Sequence, residues 1–132
     1  MWLLSDFRLS IIEKNLGVYG IHIYQNGKTL AEHWFRSNDR ENLYSASKTF
    51  ASVGIGIAEN EGRLRLSDYV LDFFPEYKDI AYSGSEKITI RHLLQMSSGH
   101  MFEDFSKYNS KDRAELFFIS EMKKEAGSNF YY

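Results

Sequence analysis

Two β-rich runs on either side of Asn26-Gly27 limit this chain's choice of fold more than any other feature. Val18-Tyr19-Gly20-Ile21-His22-Ile23-Tyr24 alternates, and Thr29-Leu30-Ala31-Glu32-His33-Trp34-Phe35 alternates in return. A two-residue hairpin turn needs positive φ at both central positions, which Asn and Gly adopt at least cost. The pattern predicts a β-hairpin. Two strands alone are only marginally stable in water, and no later segment reads as a clear strand. The hairpin needs partner strands that this chain barely offers, so an antiparallel hairpin among helices reads as an incomplete α+β fold.

Apolar residues at positions 7, 11, 12 and 16 predict an amphipathic helix from Phe7 to Leu16, closed by Gly17. After a polar loop from Ser37 to Asn42, a helix opens at Ser45 and runs to about Asn60, with Gly62 as its stop. Arg63 to Leu66 reads as extended. Ser67-Asp68 is expected to cap a turn through Tyr69, Val70 and Leu71 that Pro75 closes. Thr89 caps a helix predicted through Met96 and terminated at Gly99. Met101 to Ser110 reads as irregular. Asp112 to Glu125 reads as a last helix, with Leu116, Ile119 and Met122 on one stripe and Gly127 at its end. No repeat, low-complexity tract or linker interrupts the chain, and 132 residues suit one domain.

The candidate chemistry lies in Asn42-Leu43-Tyr44-Ser45-Ala46-Ser47-Lys48-Thr49-Phe50. On a helix, residues three apart share a face. A serine hydroxyl needs a base within hydrogen-bond reach to act as a nucleophile. Lys48 can be that base if it is shielded from water, because desolvation disfavours the ammonium form. No charge occurs between Lys48 and Glu59. A helix that is apolar all round is expected to be buried, which would supply the shielding. The plainer reading is a buried helix with an incidental serine and a snorkelling lysine. Ser-x-x-Lys recurs by chance in a serine-rich chain, and does so at Ser120-Glu121-Met122-Lys123. Charged neighbours there suit a solvated helix face, so Ser120 is read as a decoy.

Composition removes several function classes. Net charge is −2 with no basic cluster, which disfavours nucleic acid as a partner. There is no Cys, so disulfides and thiolate metal sites are excluded. No apolar run approaches the length of a membrane span. Met1-Trp2-Leu3-Leu4-Ser5-Asp6 lacks a basic n-region and does not read as a signal peptide. The compartment stays open between a cytoplasmic chain and an exported parent.

Longer motifs then follow in a fixed order: the hairpin, Ser45-x-x-Lys48-Thr49-Phe50, Gly62-x-Leu64-x-Leu66-x-Asp68-x-Val70, Phe74-Pro75-Glu76-Tyr77, and Ile88-Thr89-Ile90-Arg91-His92-Leu93-Leu94-x-Met96-Ser97-Ser98-Gly99. In this order they resemble the N-terminal part of the serine β-lactamase and penicillin-binding-protein family, in its class C β-lactamase, D,D-peptidase and esterase branch. The resemblance covers roughly residues 17 to 132. It implies that Ser45 accepts the acyl group, that Lys48 is its proton partner, and that the Ser45 N–H forms one arm of an oxyanion hole. Ala126-Gly127-Ser128-Asn129-Phe130-Tyr131-Tyr132 resembles the stretch leading to the family's Tyr-x-Asn motif. Ala126 stands where that family usually has Pro. Tyr132 falls on the motif's tyrosine, which helps shuttle the serine proton. The family's Lys-Thr-Gly strand motif has no counterpart, since Lys48-Thr49 is followed by Phe50. Residues 1–132 are therefore expected to be the N-terminal portion of one serine hydrolase domain, inactive alone, with an unpaired sheet edge open to self-association.

The resemblance implies a carbonyl substrate (β-lactam, D-Ala-D-Ala peptide or ester), with no cofactor and no metal. A non-catalytic binding or sensing module on the same fold is the alternative. His22 and His33 could face each other across the hairpin, but no His pair has metal-ligand spacing. His92, in a helix first turn, reads as structural or exposed, and His100 is given no chemical role. Ser98 lacks a Gly-x-Ser-x-Gly elbow, and Gly54-x-Gly56 lacks a third glycine, so those glycines are expected to permit close helix packing. Glu59 with Glu61, and Glu103 with Asp104, read as solvated faces.

Overall fold

The computed structural model describes residues 2–101 and 110–132. Most of the stretch expected to be irregular, with Glu103 and Asp104, lies outside them. The chain falls into two compact units, Met1–Tyr44 and Ser45–Tyr132.

In the first unit, α1 spans Ser5–Glu13. It stops before the expected Leu16 because Asn15, not Gly17, takes the left-handed conformation, at φ +47°. Asn15 N–H then bonds Ile12 O at 3.1 Å and Leu16 N–H bonds Ile11 O at 3.0 Å, the paired closure of a Schellman ending. The hairpin forms as expected. Strand β1 is Gly20–Gln25 and β2 is Lys28–Trp34. Asn26 and Gly27 sit at φ +51° and +77°, so both turn positions are left-handed. The register pairs Gly20 with Trp34, Ile21 with His33 and His22 with Glu32, and shifts after Ile23 opposite Ala31. Leu30 is the extra residue at that bulge, unpaired between Ala31 and Thr29. Gly20 is required where it stands, because the Trp34 indole fills the space a Cβ would take. This register corrects the expectation for the histidines. His22 and His33 occupy opposite faces, since His33 pairs with Ile21, the residue next to His22 along β1. His22 Nδ1 instead meets Glu32 at 3.1 Å and its Nε2 lies 3.0 Å from Thr29 Oγ1.

The second unit begins inside a 3₁₀ turn, Tyr44–Ala46, which leads into α2, Ser47–Asn60. Gly62 stops it at φ +71°, with Gly62 and Arg63 N–H groups returning to Glu59 and Ala58 carbonyls. Its expected burial is not found: α2 has no buried residue, and Phe50, Val53 and Ile57 are 69%, 57% and 55% exposed. The described residues cover only the stripe carrying Ile55 and Ala58, and a helix apolar all round needs cover on every side. The close packing expected at Gly54 and Gly56 is not found among the described residues, where a Cβ on either would meet nothing within 4 Å.

The core lies elsewhere, in Val70, Leu71, Ile88, Ile90 and Phe118. Two backbone bonds stitch it together, Val70 N–H to Ile88 O at 2.8 Å and Ile90 N–H to Asp68 O at 3.1 Å. Asp68 does not cap the turn that follows, because its carboxylate accepts Arg65 N–H at 2.7 Å. Pro75 both follows the 3₁₀ turn Val70–Phe73 and opens the next, Pro75–Tyr77, as its preset φ allows. Thr89 caps α3 as expected, but α3 covers only Ile90–Leu94. Met96 takes φ +51° and closes the helix by the same paired bonds, Met96 N–H to Leu93 O and Ser97 N–H to His92 O.

Helix α4 spans Arg113–Ile119, with Asp112 capping Ala114 and Glu115. The expected continuation to Glu125 fails because the backbone finds other acceptors. Ser120 Oγ donates to Leu116 O at 2.5 Å, Met122 bridges to His100, and Lys123 and Lys124 N–H both bond Gly99 O. Leu116 and Phe118, rather than a 116–119–122 stripe, are the buried residues of this helix. Gly127, at φ +82°, turns a loop and ends no helix.

Candidate active site

Tyr44 adopts φ +47° immediately before Ser45, a conformation that costs a non-glycine residue about 1–2 kcal/mol. Such strain gathers at functional sites. The Tyr44 N–H donates to Asn42 Oδ1 at 2.9 Å. Ser45 thus lies in a 3₁₀ turn, one step ahead of the α-helix rather than inside it. The i, i+3 relation survives that change, because a 3₁₀ turn eclipses residues three apart. Lys48 Nζ donates to Ser45 Oγ at 3.1 Å.

The third predicted residue arrives from 87 positions away, with the Tyr132 hydroxyl donating to the same Ser45 Oγ. Lys48 Nζ stands 5.3 Å from the Tyr132 ring centroid. The Tyr132 phenol is pulled below its ordinary pKa, first by the Ser45 hydroxyl, which can donate to the phenolate, and next by the Lys48 charge. Serine, lysine and tyrosine therefore converge on one hydroxyl oxygen. One expectation about them fails. Ser45, Lys48 and Tyr132 are all exposed, so the shielding of the Lys48 amine from water is not found among the described residues. Its cause is the bare face of α2 described above.

Tyr132 reaches Ser45 along a track that sequence reasoning did not assign. Residues 123–131 lie on the loop that leaves α3. Gly99 O receives Lys123 and Lys124 N–H at 3.0 and 3.1 Å, Ser97 O receives Gly127 N–H at 2.7 Å, and Met96 O receives Tyr131 N–H at 2.9 Å. The available signal was the pair Gly99 and Gly127, both left-handed at φ +92° and +82°. A Cβ on Gly99 would collide with the Lys124 carbonyl, so only glycine admits the track there.

The other candidates do not join this group. Ser120 is buried at 2% exposure, on no solvated face, and Lys123 pairs with Glu121. His100 Nδ1 lies 3.2 Å from Ser98 Oγ, and its ring is tilted against Phe117 with centroids 4.5 Å apart. Glu59 accepts Leu66 N–H at 3.2 Å and Glu61 pairs with Arg63 at 2.6 Å. Among the described residues no cluster of three or more His, Asp or Glu side chains could hold a metal ion, and no helix is long and apolar enough to cross a membrane.

No curated protein matches this sequence. The Beta-lactamase family model matches residues 12–132, a span that contains the hairpin, Ser45, Lys48, the α3 loop and Tyr132. The chain belongs to the beta-lactamase family, within the serine β-lactamase and penicillin-binding-protein superfamily of serine hydrolases.

Proposed function

We propose that Ser45 is the nucleophile of an acyl-transfer hydrolase acting on a β-lactam, a D-Ala-D-Ala peptide or a small ester. What carries this reading is the meeting of Lys48 Nζ and the Tyr132 hydroxyl on Ser45 Oγ. Ser45 Oγ attacks the substrate carbonyl and gives up its proton as the new C–O bond forms. Both partners lie within reach of that proton. The lowered phenol favours Tyr132 as its acceptor, with the Lys48 cation beside the phenolate. The proton then passes to the leaving amine or alkoxide, which departs as the carbonyl re-forms. Water enters against the same pair, its proton is taken up, and the carboxylic acid leaves Ser45 free.

Negative charge on the carbonyl oxygen needs fixed donors. We assign one to the Ser45 backbone N–H, at the head of the turn that precedes α2. A second donor is expected from a Lys-Thr-Gly type segment, a tripeptide these 132 residues do not contain. The test is covalent labelling of the full-length protein by a fluorescent penicillin and a fluorophosphonate. Label on the parent and none on Ser45→Ala supports the assignment. Equal label on both ends it.

A binding or sensing module is the second reading, and the exposure of all three side chains favours it. It predicts reversible ligand binding that survives Ser45→Ala, with no covalent product from the parent.

A further inference from the structure

Tyr132 lies at the end of a long track, and one residue of α3, His92, touches Thr89 and Gly127 with its ring and Ser97 with its carbonyl. His92 sits in the first turn of α3. Its Nδ1 accepts Thr89 N–H at 3.2 Å while Thr89 Oγ1 accepts His92 N–H at 3.3 Å. Its carbonyl receives both Ser97 N–H at 2.8 Å and Ser97 Oγ–H at 3.2 Å. The far edge of its ring rests against Gly127. A Cβ added there would lie 2.8 Å from Nε2, 3.3 Å from Cδ2 and 3.5 Å from Cε1. The ring therefore fills the space a side chain at 127 would need, and Gly127 closes directly onto it.

We propose that the His92 imidazole is a positioning residue, setting the distance of the Gly127–Tyr132 segment from α3 and so delivering the Tyr132 hydroxyl to Ser45. The inference rests on the reading of Ser45 and Tyr132 as the reacting pair. It assigns the ring a role apart from the cap that it shares with Thr89. Without the ring, the backbone bonds from Gly127 and Tyr131 still anchor the segment, but the platform under Gly127 is gone.

Two substitutions separate the roles. His92→Asn keeps an acceptor at the Nδ1 position for Thr89 N–H and removes the platform under Gly127. His92→Phe keeps a platform and removes the acceptor. A misplacement of about 1 Å can cost about 100-fold in rate. The fluorophosphonate labelling rate is expected to fall about 10–100-fold in His92→Asn. His92→Phe should label faster than His92→Asn although it melts lower, because it has lost the cap. Label loss that simply follows melting temperature across both variants overturns the proposal.

A second readout needs no activity. The Tyr132 phenolate is read as the ultraviolet pH titration of each protein minus that of its Tyr132→Phe counterpart. In the parent it should appear at lower pH than an ordinary tyrosine, and in His92→Asn it should return to the ordinary range. An unchanged titration in His92→Asn sinks the inference whatever the labels do. Label surviving Ser45→Ala would sink the catalytic reading instead, while this titration still judges His92. Should His92→Asn fail to fold, Gly127→Ala presses on the same contact from the other side, at a φ of +82° that strains alanine as well. The same loss is expected there, and a parental labelling rate overturns the proposal.

Discussion

Two stretches of this chain share the spacing Ser-x-x-Lys and nothing else. At Ser45 the turn and helix run on through Lys48, so the amine stays one turn away and reaches the hydroxyl at 3.1 Å. At Ser120 the helix has already ended, and residue 120 has ψ 142°. The Ser120 hydroxyl turns back to Leu116 O, while Lys123 leaves on a loop tied to Gly99. Continuity of the helical backbone, not the tetrapeptide, makes a serine–lysine pair. The two sites also spend their hydroxyls differently. Ser120 closes a helix end inside the core, whereas Ser45 offers its oxygen to two titratable groups at the surface.

The largest expected difference between them is covalent. Ser45→Ala abolishes labelling by an active-serine reagent, and Ser120→Ala, once folded, labels at the parental rate. The comparison collapses if the two variants label alike. Next in size is Tyr132→Phe, which removes the proposed proton acceptor but leaves the proposed nucleophile. General acid–base groups contribute about 10²–10⁴-fold, and the acylation rate should drop by that order. The pH profile supplies the sign. The Tyr132 phenol is lowered, so the phenolate fraction, and with it the labelling rate, rises as pH climbs through a value below the ordinary tyrosine range. Tyr132→Phe lacks that limb. A parent profile that rises only at the ordinary tyrosine value would remove Tyr132 from the chemistry.

Local signals carried part of this molecule, and tertiary contacts decided the rest. Asn26-Gly27, the Thr89 cap and the Gly62 stop were legible because each is a backbone requirement met by one residue and its near neighbours. Two helix ends were misjudged for one reason. Glycine was expected as the left-handed residue, but Asn15 and Met96 took it, and the paired closing bonds hold either choice in place. Helix α4 was overrun because the acceptor that ends it, Gly99 O, lies more than twenty residues back in the chain. Ser45, Lys48 and Tyr132 were readable as residues, through motif order. Their meeting depends on the Met96–Gly99 carbonyls and the His92 ring, which no spacing in the sequence reveals. Burial of α2 was inferred from composition, and composition shows only that a face is apolar.

Third in size is a stability effect at the second serine. Ser120→Ala takes a donor from the Leu116 carbonyl in a buried setting, and a typical intramolecular hydrogen bond is worth about 1 kcal/mol. The variant should unfold at lower urea with an unchanged slope, which is how lost stability differs from a changed denatured state. Ser45→Ala, on an exposed turn, should unfold at nearly the parental midpoint. Equal destabilisation of the two would mean that the Ser120 hydroxyl does not close α4.

The smallest expected effect concerns the other end of α4. Its cap, Asp112, accepts the Tyr77 hydroxyl at 2.6 Å. The bond to the carboxylate pushes the Tyr77 phenol up to about 12 from an ordinary 10.0. In return, the Tyr77 hydroxyl and the Ala114 and Glu115 N–H groups hold the Asp112 carboxyl below its ordinary value. A phenol raised by folding stabilises the fold fully below the ordinary tyrosine value and loses that contribution as pH rises to about 12. Asp112 behaves oppositely. Its contribution is present above the ordinary carboxylate value and fades as pH falls through the lowered one. Tyr77→Phe should therefore flatten the alkaline decline of the urea midpoint and return part of the Asp112 shift, visible by carboxylate NMR titration. The labelling rate at Ser45 should not change, since this contact anchors the helix of the silent serine. A parental alkaline decline in Tyr77→Phe would show that the phenol does not report on α4, and that this helix is fixed by Phe118 and the Ser120 bond alone.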